Sequence, residues 1–288
     1  MKLALGTVQF GLNYGIANSS GQVDIEQVQQ ILNVARKSGI TTLDTAIAYG
    51  NSEQCLGQVG IDSFHIISKL PPLPENVEVQ TWVETQIQSS LQRLNIKQLD
   101  GLLLHRALDI VGERGVELQQ ALQDAVEQGW TKAVGISIYD PSELDHILAV
   151  WKPDLIQSPL NVFDQRLIQS GWLKKLADLG VRIHTRSTFL QGLLLMPLEN
   201  IPEYFLPWQE QLQTWHQWCV QQNINPLQAA FAFLNQISEV ESIVVGVDTA
   251  SQLQQILQDS KKQIDIDWQQ WAISDKTLIE PSRWKINK

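Results

Sequence analysis

Thr42-Leu43-Asp44-Thr45-Ala46-Ile47-Ala48-Tyr49-Gly50-Asn51-Ser52-Glu53 is the stretch from which the fold is read. A short β-type run over residues 40–43 leads past a carboxylate, Asp44, and a phenol, Tyr49, and a helix opens at Asn51, where Asn51 and Gln54 are spaced as a capping box. This is one strand, one loop with two ionisable groups and one helix. In a chain that repeats such a unit, the loops after the strands gather at one face, and chemistry sits there. The fold then follows from how often the unit recurs.

Residues 3–8 read as a strand, followed by the Gly-bearing loop Phe10-Gly11-Leu12-Asn13-Tyr14-Gly15. Asp24 with Gln27 opens a helix whose apolar residues Val28, Ile31, Leu32 and Ala35 share a face, and Gly39 closes it. Residues 64–69 form a continuous apolar run ending at Lys69, which Pro71-Pro72-Leu73-Pro74 prevents from continuing. Val83, Ile87, Leu91 and Leu94 mark the next helix, residues 99–104 a strand ending at His105, and Leu118, Ala121, Leu122, Ala125 and Val126 another helix, closed at Gly129. Strands over 133–137, 154–157 and 181–185 alternate with helices over 144–148 and 168–179. Residues 191–207 break the rhythm with three prolines and read as a functional excursion. A Trp-rich helix around Trp215 and one capped by Asn225, with Pro226 at its first position, precede a strand over 242–245, and Leu253, Ile256 and Leu257 carry the last helix of the series.

Eight strand-then-helix units with near-continuous apolar strands predict a parallel sheet closed as a (β/α)8 TIM barrel, one α/β domain over residues 1–288. An open doubly wound sheet is the alternative. Its dinucleotide fingerprint is absent, since Gly6-Thr7-Val8-Gln9-Phe10-Gly11 has the wrong glycine spacing and no helix directly after it.

A net charge of −10 disfavours nucleic acid and anionic membranes as partners. Cys55 and Cys219 fit neither a disulfide framework nor a metal motif, and no metal site is expected. The first residues carry too few apolar side chains for a signal peptide, and no long apolar run follows, so the chain is expected to be soluble and cytoplasmic.

In a barrel, Asp44 ends the second strand, Lys69 the third and His105 the fourth, with Tyr49 in the loop after the second; all four meet at one face. They suit proton transfer to an oxygen. A free tyrosine titrates near pH 10, so Lys69 is expected to stabilise the phenolate, Asp44 to hold the ammonium by an ion pair, and His105 to orient a substrate carbonyl by a hydrogen bond. No obvious nucleophile accompanies them. Lys69 acting as a Schiff base in a lyase is a weaker reading, because it leaves Asp44 and Tyr49 without a role.

Leu5-Gly6-Thr7, Leu43-Asp44-Thr45-Ala46 with Tyr49-Gly50 and Glu53, Ser68-Lys69, Leu103-Leu104-His105, Gly135-Ile136-Ser137, Gln157 and Gly192-Leu193 together resemble the aldo/keto reductases over nearly the whole chain, and a bacterial branch found among sugar and polysaccharide enzymes in particular. The resemblance implies a (β/α)8 barrel, a nicotinamide cofactor across the strand ends, and a catalytic tetrad of Asp44, Tyr49, Lys69 and His105 that reduces an aldehyde or ketone, or oxidises an alcohol, with Tyr49 as the acid. It also implies a small-molecule, sugar-like substrate and cofactor contacts from Gly6, Thr7, Ser137, Gln157, Arg186, Gly192, Leu193, Gly246, Thr249, Ser251 and Gln252. Ser137 and Gln157 match positions that bond the nicotinamide carboxamide. A barrel that binds the cofactor as a sensor or partner-binding subunit is the competing function.

The chain departs from the family in three places. Ile138 stands where Asn is common, and Arg186 where an aromatic ring commonly stacks on the nicotinamide. Around the adenosine 2′-phosphate, Gly246, Gln252 and Ile256 replace the usual Lys, Arg and Asn, leaving Thr249, Ser251 and backbone N–H groups for the phosphate. The resemblance therefore implies NADP (NADPH) first and NAD second.

Overall fold

Strands without a polar face must be covered on both sides, and eight of them are. In the computed structural model, which describes residues 2–262, 264 and 266–286, β1 (Lys2–Gly6), β2 (Thr42–Asp44), β3 (His65–Leu70), β4 (Gly101–Leu104), β5 (Val134–Ser137), β6 (Leu155–Pro159), β7 (Arg182–Arg186) and β8 (Ser242–Gly246) are all parallel, each beside its sequence neighbours. β8 pairs back with β1, so the sheet closes as a (β/α)8 barrel. The expected span of 1–288 includes Met1, Gln263, Asp265, Asn287 and Lys288, which lie outside the described residues.

Eleven helices surround or extend the barrel among the described residues: α1 (Ile25–Ser38), α2 (Ser52–Val59), α3 (Val79–Leu94), α4 (Gly115–Glu127), α5 (Glu143–Val150), α6 (Arg166–Gln169), α7 (Trp172–Asp178), α8 (Gln209–Gln221), α9 (Pro226–Leu234), α10 (Ala250–Asp259) and α11 (Lys276–Ile279). α1 follows the sequence reading: Asp24 accepts a hydrogen bond from the Gln27 backbone N–H, Val28, Ile31, Leu32 and Ala35 are buried, and Gly39 closes the helix at φ 80°. The run expected as one helix over 168–179 is two, α6 and α7, because Gly171 sits between them at φ 78°. Asn51 does not form the expected capping box. Its ψ of 18° is not the extended conformation a cap requires, and its side-chain oxygen accepts instead from Gln22 Nε2 at 2.6 Å. Residues 191–207 fold largely into short 3₁₀ turns that bury Phe205 beneath the ring of Trp284, 4.8 Å away.

Alternation along the strands positions the site. Ile67 of β3, Leu103 of β4 and Leu155 of β6 pack together as a separate buried cluster, as inward-facing residues of a barrel do. Two residues further along each strand come Lys69, His105 and Gln157, which the period of two places on the same side, one layer nearer the C-terminal mouth. Gly6 of β1 is level with Asp44 and with Gly246, and Ser137 with Gln157.

The loops after β1 and β2 touch backbone to backbone. A Cβ at Gly11 would lie 1.8 Å from the Tyr49 carbonyl oxygen, and one at Gly50, whose φ is +53°, would lie 2.3 Å from the Gly11 carbonyl oxygen. Only glycines allow the Tyr49 loop this seat. Gly11→Ala is therefore expected to destabilise the fold by about 1–3 kcal/mol, as overpacking does, and to lower turnover by moving Tyr49; an unchanged denaturation midpoint would show that the two loops can part freely.

Candidate active site

At the end of β2, Asp44 is 4% exposed, and at the end of β3, Lys69 is 1% exposed. Two charges so far from water persist only when paired and hydrogen-bonded. Lys69 Nζ donates to Asp44 Oδ1 at 2.6 Å and to the Thr45 carbonyl at 2.8 Å. The second carboxylate oxygen accepts from Gln157 Nε2 at 2.6 Å, and the Gln157 oxygen accepts from Ser137 Oγ at 3.4 Å. The floor of the site is thus a buried chain running Lys69, Asp44, Gln157, Ser137 across β3, β2, β6 and β5. Glu53 supplies a separate anchor: 2% exposed, it takes Arg93 as counter-ion at 2.6 Å and accepts from the Ser68 and Ser90 hydroxyls, tying α2 to β3 and α3.

Tyr49 and His105 stand above this floor, ring edge to ring face with centroids 5.9 Å apart, and the Lys69 ammonium lies over the Tyr49 ring at 5.2 Å. Burial lowers the His105 imidazole to about 4, helped by the charges of Lys69 and Arg186, so it is neutral at pH 7. The sequence reading has Lys69 easing ionisation of the phenol. Instead the Tyr49 hydroxyl is held well above its ordinary range, first by burial and then by the Asp44 charge. The reason is geometric: Asp44 cancels the ammonium at 2.6 Å, and the cation that does pull the phenol down is Arg186. Burial likewise lowers the Lys69 pKa, against the attraction of Asp44.

These groups open on one cleft of about 1180 Å³, above the roughly 300–1,000 Å³ typical of drug-sized ligands and so of the size an extended dinucleotide needs. Asp44, Tyr49 and His105 line it, with Lys69 beneath. Of the expected cofactor residues, Gly6, Thr7, Ser137, Gln157, Arg186, Gly192, Gly246 and Gln252 line it too. Leu193, Thr249 and Ser251 do not. Leu193 is fully buried in the core, while the Thr249 hydroxyl caps α10 by accepting from the Gln252 N–H and bonds Ser251 Oγ at 3.0 Å. Two features of the wall suit a polar ligand: Gln9 Oε1 is buried there without a partner, and Gly246 is bare where a Cβ would meet Gln9 Nε2 at 2.5 Å.

A sequence model described as the Aldo/keto reductase family matches residues 2–278. The chain belongs to the aldo/keto reductase family. Aldo-keto reductase YhdN of Bacillus subtilis is 26% identical to this chain over 182 residues, 59% of this chain and 53% of that one. The match therefore spans about half the length of that relative. A 6-dehydroglucose reductase of Novosphingobium aromaticivorans is 29% identical over 157 residues, 46% of this chain and 50% of that one. Among solved structures, the holo form of aldo-keto reductase AKR11C1 from Bacillus halodurans superposes with a TM-score of 0.74 at 18% identity, covering 96% of this chain and 94% of that one, and shows the fold alone. No helix among the described residues of this chain is long and apolar enough to cross a membrane, and none of them form a group of three or more His, Cys, Asp or Glu that could hold a metal ion.

The sequence reading missed four residues of the cleft. Tyr139 lies under the Arg186 guanidinium, with 4.8 Å from the guanidinium carbon to the ring centroid; Asn18 donates to Asp248 at 3.2 Å; and Gln9 is the wall residue described above. Tyr139 was findable, two residues beyond Ser137 at the end of β5. Tyr14 also lines the cleft, whereas Phe10 and Phe163 are core. Lys69→Met, which leaves a buried carboxylate without its cation, is expected to cost about 3–5 kcal/mol of stability. Adding Asp44→Asn should recover part of that loss in chemical denaturation, and strictly additive effects would show that the pair is not coupled.

Proposed function

We propose that this chain reduces an aldehyde or ketone, or runs the reverse oxidation, with a nicotinamide dinucleotide, and that Asp44, Tyr49, Lys69 and His105 carry the chemistry. The observation that supports this most is the convergence of a protonated phenol and a neutral imidazole above a buried, internally neutral Lys69–Asp44 pair, at the wall of a dinucleotide-sized cleft. When bound, the reduced cofactor supplies a hydride. Tyr49 holds the proton that the carbonyl oxygen needs, and its raised affinity for that proton keeps it an acid until the oxygen gains charge. The neutral imidazole of His105 offers one N–H to the same oxygen and so orients the carbonyl. Lys69 is held by Asp44 and the Thr45 carbonyl, and its charge over the ring attenuates the negative charge that develops there. Similarity to a 6-dehydroglucose reductase supports a sugar-like carbonyl compound as substrate. Tyr49→Phe should lower turnover at least about 100-fold while leaving the affinity for reduced cofactor, read by its fluorescence, unchanged; undiminished turnover sinks the mechanism.

The resemblance puts NADPH first, but one observation favours NADH. Around residues 246–256 the cleft is lined by Gly246, Val247, Asp248, Gln252, Gln255 and Ile256, without a Lys or Arg, and the Asp248 carboxylate would repel a 2′-phosphate. Backbone donors that could take the phosphate at this end are engaged: the Asp248 and Thr249 N–H groups both donate to Gln252 Oε1. Fluorescence titration is expected to show NADH bound at least about tenfold tighter than NADPH, with Asp248→Asn narrowing the gap. Tighter NADPH binding would restore the family preference.

A further inference from the structure

Nearly all fixed charges at the mouth of the barrel have partners. Lys69 has Asp44. Arg166 of α6 pairs with Asp164 at 2.8 Å, Asp140 at 3.1 Å and Glu280 at 2.5 Å; Lys276 also pairs with Asp140 and Arg283 with Glu280, so three cations meet three carboxylates. Arg186, the last residue of β7, differs. It is half-buried, and its Nη2 donates to the Ile138 carbonyl at 3.0 Å and its Nη1 to Ser187 Oγ at 3.2 Å, but no carboxylate pairs with it among the described residues. Of its five N–H groups, Nε and one on each terminal nitrogen remain. It lines the same cleft as Tyr14, Tyr49 and His105, so it sits among the groups that would surround a substrate.

A partly desolvated cation without a counter-ion is costly, and in a chain of net charge −10 it is the less common sign to leave unpaired. A planar guanidinium with several free N–H groups matches the two oxygens of a carboxylate or phosphate. The Tyr139 ring, 4.8 Å from the guanidinium carbon, adds a cation–π contact on one side of it. We propose that Arg186 binds an oxyanion of the substrate, so that the reductase acts on an anionic carbonyl compound whose carboxylate or phosphate pairs with Arg186 while its carbonyl oxygen lies at Tyr49 and His105. This rests on the carbonyl-reduction reading above and narrows it to a charged substrate class.

The test uses matched pairs with the full chain and saturating reduced cofactor: succinic semialdehyde against butanal for a carboxylate, glyceraldehyde 3-phosphate against glyceraldehyde for a phosphate. The expected kcat/KM is at least about tenfold higher for the anionic member of one pair, which also identifies the oxyanion. Arg186→Gln should bring that ratio near one, chiefly through KM, with Arg186→Lys, which keeps the charge without the planar fork, in between. A ratio near one in the unmutated protein, or a ratio that Arg186→Gln leaves in place, overturns the proposal. So does a loss of affinity for the reduced cofactor in Arg186→Gln, which would assign the cation to the cofactor's own phosphates. Absence of turnover on every aldehyde would count against the reductase reading instead, and the proposal is then read by equilibrium binding. Butyrate should quench the fluorescence of the cofactor complex where butyramide does not, and only with Arg186 present; no binding of butyrate overturns it.

Discussion

The ion pair between Lys69 and Asp44 is the constraint on which the rest of the site depends. Each partner ends a neighbouring strand, and each is too deeply buried to be tolerated alone. Pairing fixes both side chains, and the remaining acceptor of Asp44 reaches across the barrel to Gln157, 113 residues further along the chain. A short strand such as β2, three residues long, is thereby held from the inside as well as by its neighbours. The pair also sets the electrostatics above it. Because the ammonium and carboxylate cancel at contact, neither ring of the Tyr49–His105 couple feels a full lysine charge, and burial governs both.

That balance explains where reasoning from sequence succeeds and where it stops. Parallel strands buried on both faces leave near-continuous apolar runs, so the eight units and the barrel were legible, and strand ends such as Lys69 and His105 follow from where those runs stop. The direction of the Tyr49 shift was not legible. It depends on which neighbour neutralises Lys69, and that is decided by distances between strands. Asn51 illustrates the same limit at short range: its spacing from Gln54 satisfies the capping rule, yet its backbone angles and the amide of Gln22 take it elsewhere.

The cofactor residues divide on similar grounds. Glycines of the expected set lie at the cleft because a close backbone approach is a property of one position, as at Gly246. Thr249 and Ser251 read as phosphate ligands from the family resemblance and their place at the start of the last helix, but their hydroxyls serve the start of α10, a competition that sequence spacing cannot resolve. Arg186 is plain in the sequence as a departure from an aromatic position, while its lack of a carboxylate partner among the described residues emerges only when every charge at the mouth is followed to its own partner.

The loop between β1 and α1 joins the two ends of the cleft. Gln191 Nε2 donates to the Tyr14 hydroxyl at 3.3 Å near the catalytic groups, a Cβ at Gly192 would meet Ala17 Cβ at 2.4 Å, and Asn18 donates to Asp248 at the far end. One end of the cleft therefore carries a guanidinium with no carboxylate partner among the described residues and the other a carboxylate whose proton affinity burial has raised. A field that changes sign along a confined groove orients a bound molecule by charge, independently of how well its shape fits. With one loop touching both ends, a ligand that pulls Asp248 away from Asn18 acts on the same segment that carries Tyr14, so the charge at the far end and the packing beside Tyr49 are mechanically connected through the short run of backbone from Tyr14 to Asn18 rather than through the barrel.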